Sequence, residues 1–125
     1  MIAVDSSVWI DFFNGVATAE VERLRAIIGK QPLLVGDVML LEILQGVASE
    51  REARRVESAL RQLDVAPMLD PDLAVQGAAK DRRLRRRGVT VRKSINLIIG
   101  TFCIVKGHRL LTSDRDSCRW PSIWA

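Results

Sequence analysis

Apolar positions along this chain come in short bursts whose spacing alternates between two patterns. Ile2 to Val4 is an unbroken apolar run ending at Asp5, which predicts a short buried strand. A helix is predicted from about Ser7 to Phe13, stopped by Asn14-Gly15. Val21, Leu24 and Ile28 then recur at helical spacing before Gly29. Leu33 to Val35 reads as a second strand, with Asp37 placed to cap a helix that carries Val38, Leu41 and Leu44. Ser49 and Glu52 form a capping-box pattern ahead of a helix with Val56, Leu60 and Leu63 on its inner face. Val65 to Leu69 reads as a third strand, and Asp70-Pro71 supplies a cap and first-turn proline for a helix ended by Gly88. Ile95, Ile98, Phe102 and Val105 mark a buried helix that Gly107 terminates, and Arg109 to Thr112 is a last strand.

Strands alternating with helices imply parallel pairing, because consecutive parallel strands need a crossover and cannot be joined by tight turns. The expected fold is therefore α/β, a sandwich with a mostly parallel central sheet flanked by helices. At 125 residues, with no internal repeat or linker, a single domain over 1–125 is expected.

In open α/β sheets, ligands bind in the crevice at the carboxyl ends of the strands. Asp5 directly follows the first strand, and Asp114 and Asp116 directly follow the last. Each also has a plainer explanation: Asp5 as a helix N-cap, the other two as turn residues. Glu42 interrupts Val38-Met39-Leu40-Leu41-Glu42-Ile43-Leu44, where a carboxylate buried without a partner is costly. It either emerges on a narrow solvent-facing stripe or points at a cation shared with Asp5 and the C-terminal acids. Carboxylate oxygens suit hard divalent cations such as Mg²⁺ or Mn²⁺, which can lower the pKa of a bound water and neutralise charge on a phosphate. The chain has one histidine, His108, read as a plain turn residue, so a pair of catalytic histidines is excluded. Any phosphodiester hydrolysis here would have to be metal-assisted.

The net charge of +4 matters less than its distribution. Lys80, Arg82, Arg83, Arg85, Arg86, Arg87, Arg92 and Lys93 fall in one stretch, interrupted by a single acid, Asp81. Such a cluster is either a solvated helix face or an attractor of phosphate backbones; Arg85, Arg86, Arg87, Arg92 and Lys93 are the candidate RNA contacts. Hydrophobic residues make up 48% and charged residues 27%, with no apolar run long enough to span a membrane. The opening Met-Ile-Ala-Val-Asp has no basic segment leading into an apolar stretch. Cys103 and Cys118 have neither zinc-site nor disulfide-framework spacing, and a reducing cytoplasm is expected.

Four segments carry a resemblance to a known family. Val4-Asp5-Ser6-Ser7-Val8-Trp9-Ile10-Asp11, Val38 to Leu44 around Glu42, Val91 to Thr101 around Asn96, and Leu110-Leu111-Thr112-Ser113-Asp114-Arg115-Asp116 resemble, in order and spacing, the motifs of PIN-domain endoribonucleases of the VapC toxin type. The resemblance covers about 115 residues of the chain and implies a PIN-like three-layer sandwich and a Mg²⁺-dependent endoribonuclease, with Mn²⁺ as a substitute. It also implies a cognate VapB-type antitoxin as partner; apolar N-terminal helices suggest a homodimer. Carried over, Asp5, Glu42 and Asp114 are metal ligands, Asp116 is a nearby acid, and Ser7 orients the ligands around Asp5.

The departure is at position 96, where the family has Asp and this chain has Asn96. An amide keeps one coordinating oxygen but removes a full negative charge, so weak metal binding and impaired cleavage are expected. The rival from another class is a catalytically inactive PIN-like module that binds RNA or antitoxin. A phosphatase with an aspartyl nucleophile fits poorly, because the D-x-D pattern Asp114-Arg115-Asp116 follows the last strand, not the first. The tail, Ser117 to Ala125, is atypical of the family and reads as shortened or altered, with Trp120 and Trp124 expected to pack on the body.

Overall fold

The computed structural model describes residues 1–91 and 93–113. Arg92 and everything from Asp114 onward, including Asp116, Cys118, Trp120 and Trp124, lie outside the described residues.

Among the described residues ten elements follow one another as β1 (Ile2–Val4), α1 (Ser6–Phe13), α2 (Ala19–Ile27), β2 (Leu33–Gly36), α3 (Asp37–Gln45), α4 (Glu50–Leu60), β3 (Asp64–Ala66), α5 (Pro71–Arg86), α6 (Ser94–Lys106) and β4 (Arg109–Leu111). Every strand pair is parallel, in the order β3-β2-β1-β4. Registers are set by Ile2 opposite Leu33, Val4 opposite Leu111 and Val35 opposite Val65. The central strands lose both faces to helices, so they read as continuous apolar runs. Ala3, Val4 and Val35 are fully buried, whereas Asp64 and Val65 on the outer β3 are exposed.

Helices flank the sheet, α1 packing on α2 and α3, α3 on α4, and α5 on α6. The core gathers Val8 and Trp9 from α1, Leu24 from α2, Met39 and Ile43 from α3, Leu60 from α4, and Ile99, Phe102 and Cys103 from α6. No helix among the described residues is long and apolar enough to cross a membrane. Trp9 also meets Phe13 in a stacked pair at 5.8 Å, while Phe12 lies under the Arg25 guanidinium at 5.2 Å.

Helix boundaries follow local chemistry. Thr18, Ser49 and Asp70 cap α2, α4 and α5 by accepting from Val21, Glu52 and Leu73 N–H groups. Gly107 ends α6 at φ 74°, a conformation that a Cβ disfavours.

Several expectations shift. Leu41 is 59% exposed and stands off the inner face of α3, which is formed by Met39 and Ile43. Val105 and Ile28 are exposed as well. Asp37 sits inside α3, with Gly36 as N-cap; Asp37 Oδ1 accepts from Val38 N at 2.8 Å and Met68 N at 3.1 Å. That second bond takes Met68 out of the sheet ladder, so β3 ends at Ala66 instead of Leu69. The Met68 side chain is then fully buried against Gly36, where a Cβ would collide with it.

Candidate active site at the carboxyl edge of the sheet

Asp5 is the first residue beyond β1, and its N–H donates to Leu111 O at 2.9 Å, tying it to the neighbouring strand end. The residue is 4% exposed. Although Asp5 is the N-cap residue of α1, its side chain makes no capping bond. Instead Oδ2 accepts from Ser7 Oγ at 2.8 Å and from Thr112 Oγ1 at 3.0 Å. Ser113 Oγ donates in turn to Ser7 Oγ at 3.0 Å, so hydroxyls from the ends of β1 and β4 converge on one acid.

Glu42 projects from the half-buried side of α3, between exposed Leu41 and buried Ile43. Ser6 Oγ donates to Glu42 Oε1 at 2.6 Å, a short bond of the charge-assisted kind. The apolar run around Glu42 thus resolves: one apolar neighbour takes the solvent-facing position and the acid turns toward α1. Consecutive serines therefore serve different acids, Ser6 holding Glu42 and Ser7 holding Asp5.

Asn96 lies half-buried in the first turn of α6. Because β4 runs parallel to β1 and follows α6 through Gly107, the far end of α6, with Asn96, is directed to the carboxyl edge where Asp5 sits. Cys103, two helical turns beyond Asn96 and on the same face, is buried near Asp5. Burial pushes its thiol up to about 12, and the Asp5 charge adds to the shift.

The described residues bring together Asp5, Ser7 and Glu42, with Asn96 on the helix that passes them. Ser6 and Thr112 emerge as donors to which the sequence pattern assigns no part in the site; the available signal is a hydroxyl at a strand end within two residues of an acid, Ser6 directly after Asp5 and Thr112 two before Asp114. No group of three or more His, Cys, Asp or Glu side chains placed to hold a metal ion occurs among the described residues. The ion pairs seen there, such as Arg61 with Glu57 at 2.7 Å and Arg85 with Asp81 at 3.3 Å, involve neither Asp5 nor Glu42.

Of the basic stretch, Arg82, Arg83, Arg85, Arg86 and Arg87 are exposed around the end of α5, and Lys93 is the exposed N-cap of α6. The connection from α5 to α6 leads directly into the turn that carries Asn96. Gly77 of α5 faces α6, where a Cβ would stand at ordinary contact distance, 3.5 Å, from Thr101 Oγ1.

A family model described as PIN domain matches residues 2–121. The chain is 26% identical over 121 residues to VapC ribonuclease Mb1587 of Mycobacterium bovis, covering 93% of this chain and 88% of that protein. Among solved structures it resembles Mycobacterium tuberculosis VapC20, described as a sarcin-ricin loop cleaving toxin, with a TM-score of 0.75 and 21% identity over 96% of this chain and 95% of that one. It also resembles VapBC2 from Rickettsia felis, bound to a DNA fragment from its promoter, with a TM-score of 0.73 and 13% identity over 91% of this chain and 88% of that one. At these identities the likeness to solved structures establishes a shared fold.

Proposed function

Because the chain belongs to the PIN domain family, we propose that it is a metal-dependent endoribonuclease of the VapC type, the toxin of a type II toxin–antitoxin pair, impaired by Asn96. The observation that carries this reading is the pair Asp5 and Glu42: a buried and a half-buried carboxylate, held by hydroxyl donors and joined in none of the ion pairs among the described residues. Negative charge gathered in this way needs a compensating cation.

The donor chemistry fits a hard divalent ion. Carboxylate oxygens from Asp5 and Glu42 and the amide oxygen of Asn96 are the ligand types Mg²⁺ and Mn²⁺ take, and Asp114, with Asp116 near it in sequence, would complete the set. When bound, such an ion would lower the pKa of a water and neutralise charge developing on the phosphate. Ser7 and Thr112 fix the Asp5 rotamer. In this reading Arg85, Arg86, Arg87, Arg92 and Lys93 attract the RNA backbone. Replacing an Asp with Asn96 removes one unit of negative charge from the cation site, which weakens binding and slows cleavage.

The partner in this reading is a small VapB-type antitoxin. An apolar groove of about 240 Å³, lined by Ile10, Phe13, Ile43, Val47 and Val56 among others, begins one residue along α3 from Glu42 and offers it a surface beside the acids. The location is the cytoplasm, where the RNA is.

Asn96 also favours a second reading, a catalytically inactive PIN module that binds RNA or antitoxin. One comparison separates the two. The chain and its Asn96→Asp variant are each incubated with structured RNA, including ribosomal RNA loops, and with Mg²⁺, Mn²⁺ or EDTA. Cleavage by the Asp variant alone, abolished by EDTA, is the expected result. Cutting by both forms would make Asn96 an adequate ligand, and RNA binding without cutting by either would establish the inactive module.

A further inference from the structure

Of the two hydroxyl donors that the sequence pattern leaves without a part, Thr112 joins Ser7 on Asp5, whereas Ser6 serves Glu42. Ser6 is the first residue of α1, only 6% exposed, where a serine commonly has its hydroxyl in solvent or bonded to its own helix. Here the hydroxyl crosses to α3 and donates to Glu42 Oε1 at 2.6 Å. A glutamate on a helix surface has three rotatable bonds and loses rotamer freedom when fixed. Asp5, on a shorter stem, is fixed by two hydroxyls acting on Oδ2. Glu42 has one, acting on Oε1, and among the described residues Oε2 accepts no hydrogen bond.

We propose that Ser6 is a positioning residue: its hydroxyl takes one oxygen of Glu42, Oε1, and leaves the other, Oε2, as the ligand for a divalent cation. This rests on the metal-dependent reading above. The role is separate from that of Ser7, because each serine has one O–H donor and each is committed to a different acid. The Ser6 hydroxyl acts through Glu42, while the Asp5 carboxylate takes its hydrogen bonds from Ser7 and Thr112.

The test is a double-mutant cycle read by direct Mn²⁺ binding, using electron paramagnetic resonance of free Mn²⁺, with the Asn96→Asp chain as parent. Ser6→Ala is expected to weaken Mn²⁺ binding about tenfold, the scale of one hydrogen bond to a charged group. In a Glu42→Ala background the same substitution is expected to change nothing, since its target is gone. Ser6→Cys, which keeps a weak donor of similar shape, should recover part of the loss. Melting of each variant in EDTA checks that the fold persists; if Ser6→Ala does not fold, the Ser6→Cys cycle carries the comparison. An unchanged affinity in Ser6→Ala, or an equal loss with and without Glu42, overturns the assignment of Ser6 while leaving the metal site standing. Absence of any Mn²⁺ binding by the parent removes the metal-dependent reading, and the role of Ser6 with it.

Discussion

Asp5 stands where a helix cap belongs and does not cap. An Asp in that position ordinarily accepts from the N–H groups of the first helical turn, for about 1 kcal/mol of stability. In this chain the Val8 and Trp9 N–H groups reach the Asp5 backbone carbonyl, at 3.1 and 3.2 Å, and the carboxylate is left to the hydroxyls of Ser7 and Thr112. Its charge is felt by Cys103 across the site. The folded thiol, pushed up to about 12, stays neutral at a pH where the unfolded thiol has already ionised. Stability from this group is therefore complete below the ordinary thiol value, about 8.5, and is lost as pH rises toward 12. Urea denaturation from pH 9 to 11 should show the unfolding free energy falling more steeply than in Cys103→Ala, by at most about 1.4 kcal/mol per pH unit. Equal slopes would mean that the thiol is not held neutral by the fold. At this scale Asp5 is legible in the sequence as an acid at a strand end, and Glu42 as an acid out of place. What was hidden was which side of α3 faces inward: seven residues hold too many apolar side chains for periodicity to choose, and the spacing places Leu41 inward although packing turns it out.

Among the helices, capping divides along a functional line. Thr18, Ser49 and Asp70 cap α2, α4 and α5 with their side chains, while Asp5, Gly36 and Lys93, at the starts of α1, α3 and α6, make no side-chain cap bond. Those latter three helices carry Ser6 and Ser7, Glu42, and Asn96. Their N-terminal ends bear partial positive charge, which favours the gathering of anionic groups close by. The order of strands and helices followed from the alternation of apolar runs, because each run is long enough to mark its element. The end of β3 did not, since the apolar Val65 to Leu69 continues past the point where Asp37 diverts the Met68 N–H. That diversion depends on Gly36, whose missing Cβ makes room for the Met68 side chain. Gly36→Ala is expected to cost about 1–3 kcal/mol by overpacking, and less than additively when combined with Met68→Ala. Full additivity in denaturant titrations would show that the two residues do not share that space.

At the scale of the whole molecule, charge and connectivity decide. The net charge of +4 is concentrated at the end of α5 and the entry to α6, so attraction for RNA should be local and salt-dependent. Replacing Arg86 and Lys93 together with Ala should weaken RNA binding and reduce the magnitude of the slope of log affinity against log salt by about 0.7 for each phosphate no longer neutralised. An unchanged slope in filter binding would place the RNA elsewhere. Four ordered motifs made the architecture readable, because order and spacing survive where single residues are ambiguous; the hydroxyl partnerships were not readable, because they join distant parts of the chain. The Asp5–Thr112 bond spans 107 residues, and β4 beside β1 closes the edge from which Asp5 projects. A ribosome adds about 5–20 residues per second, so Asp5 waits roughly 5–20 s for its second donor. During that interval the emerging polypeptide has its first acid but not the strand that seats it. For a chain with the proposed activity, competence to cut RNA cannot precede the synthesis of β4, however early Asp5 leaves the ribosome.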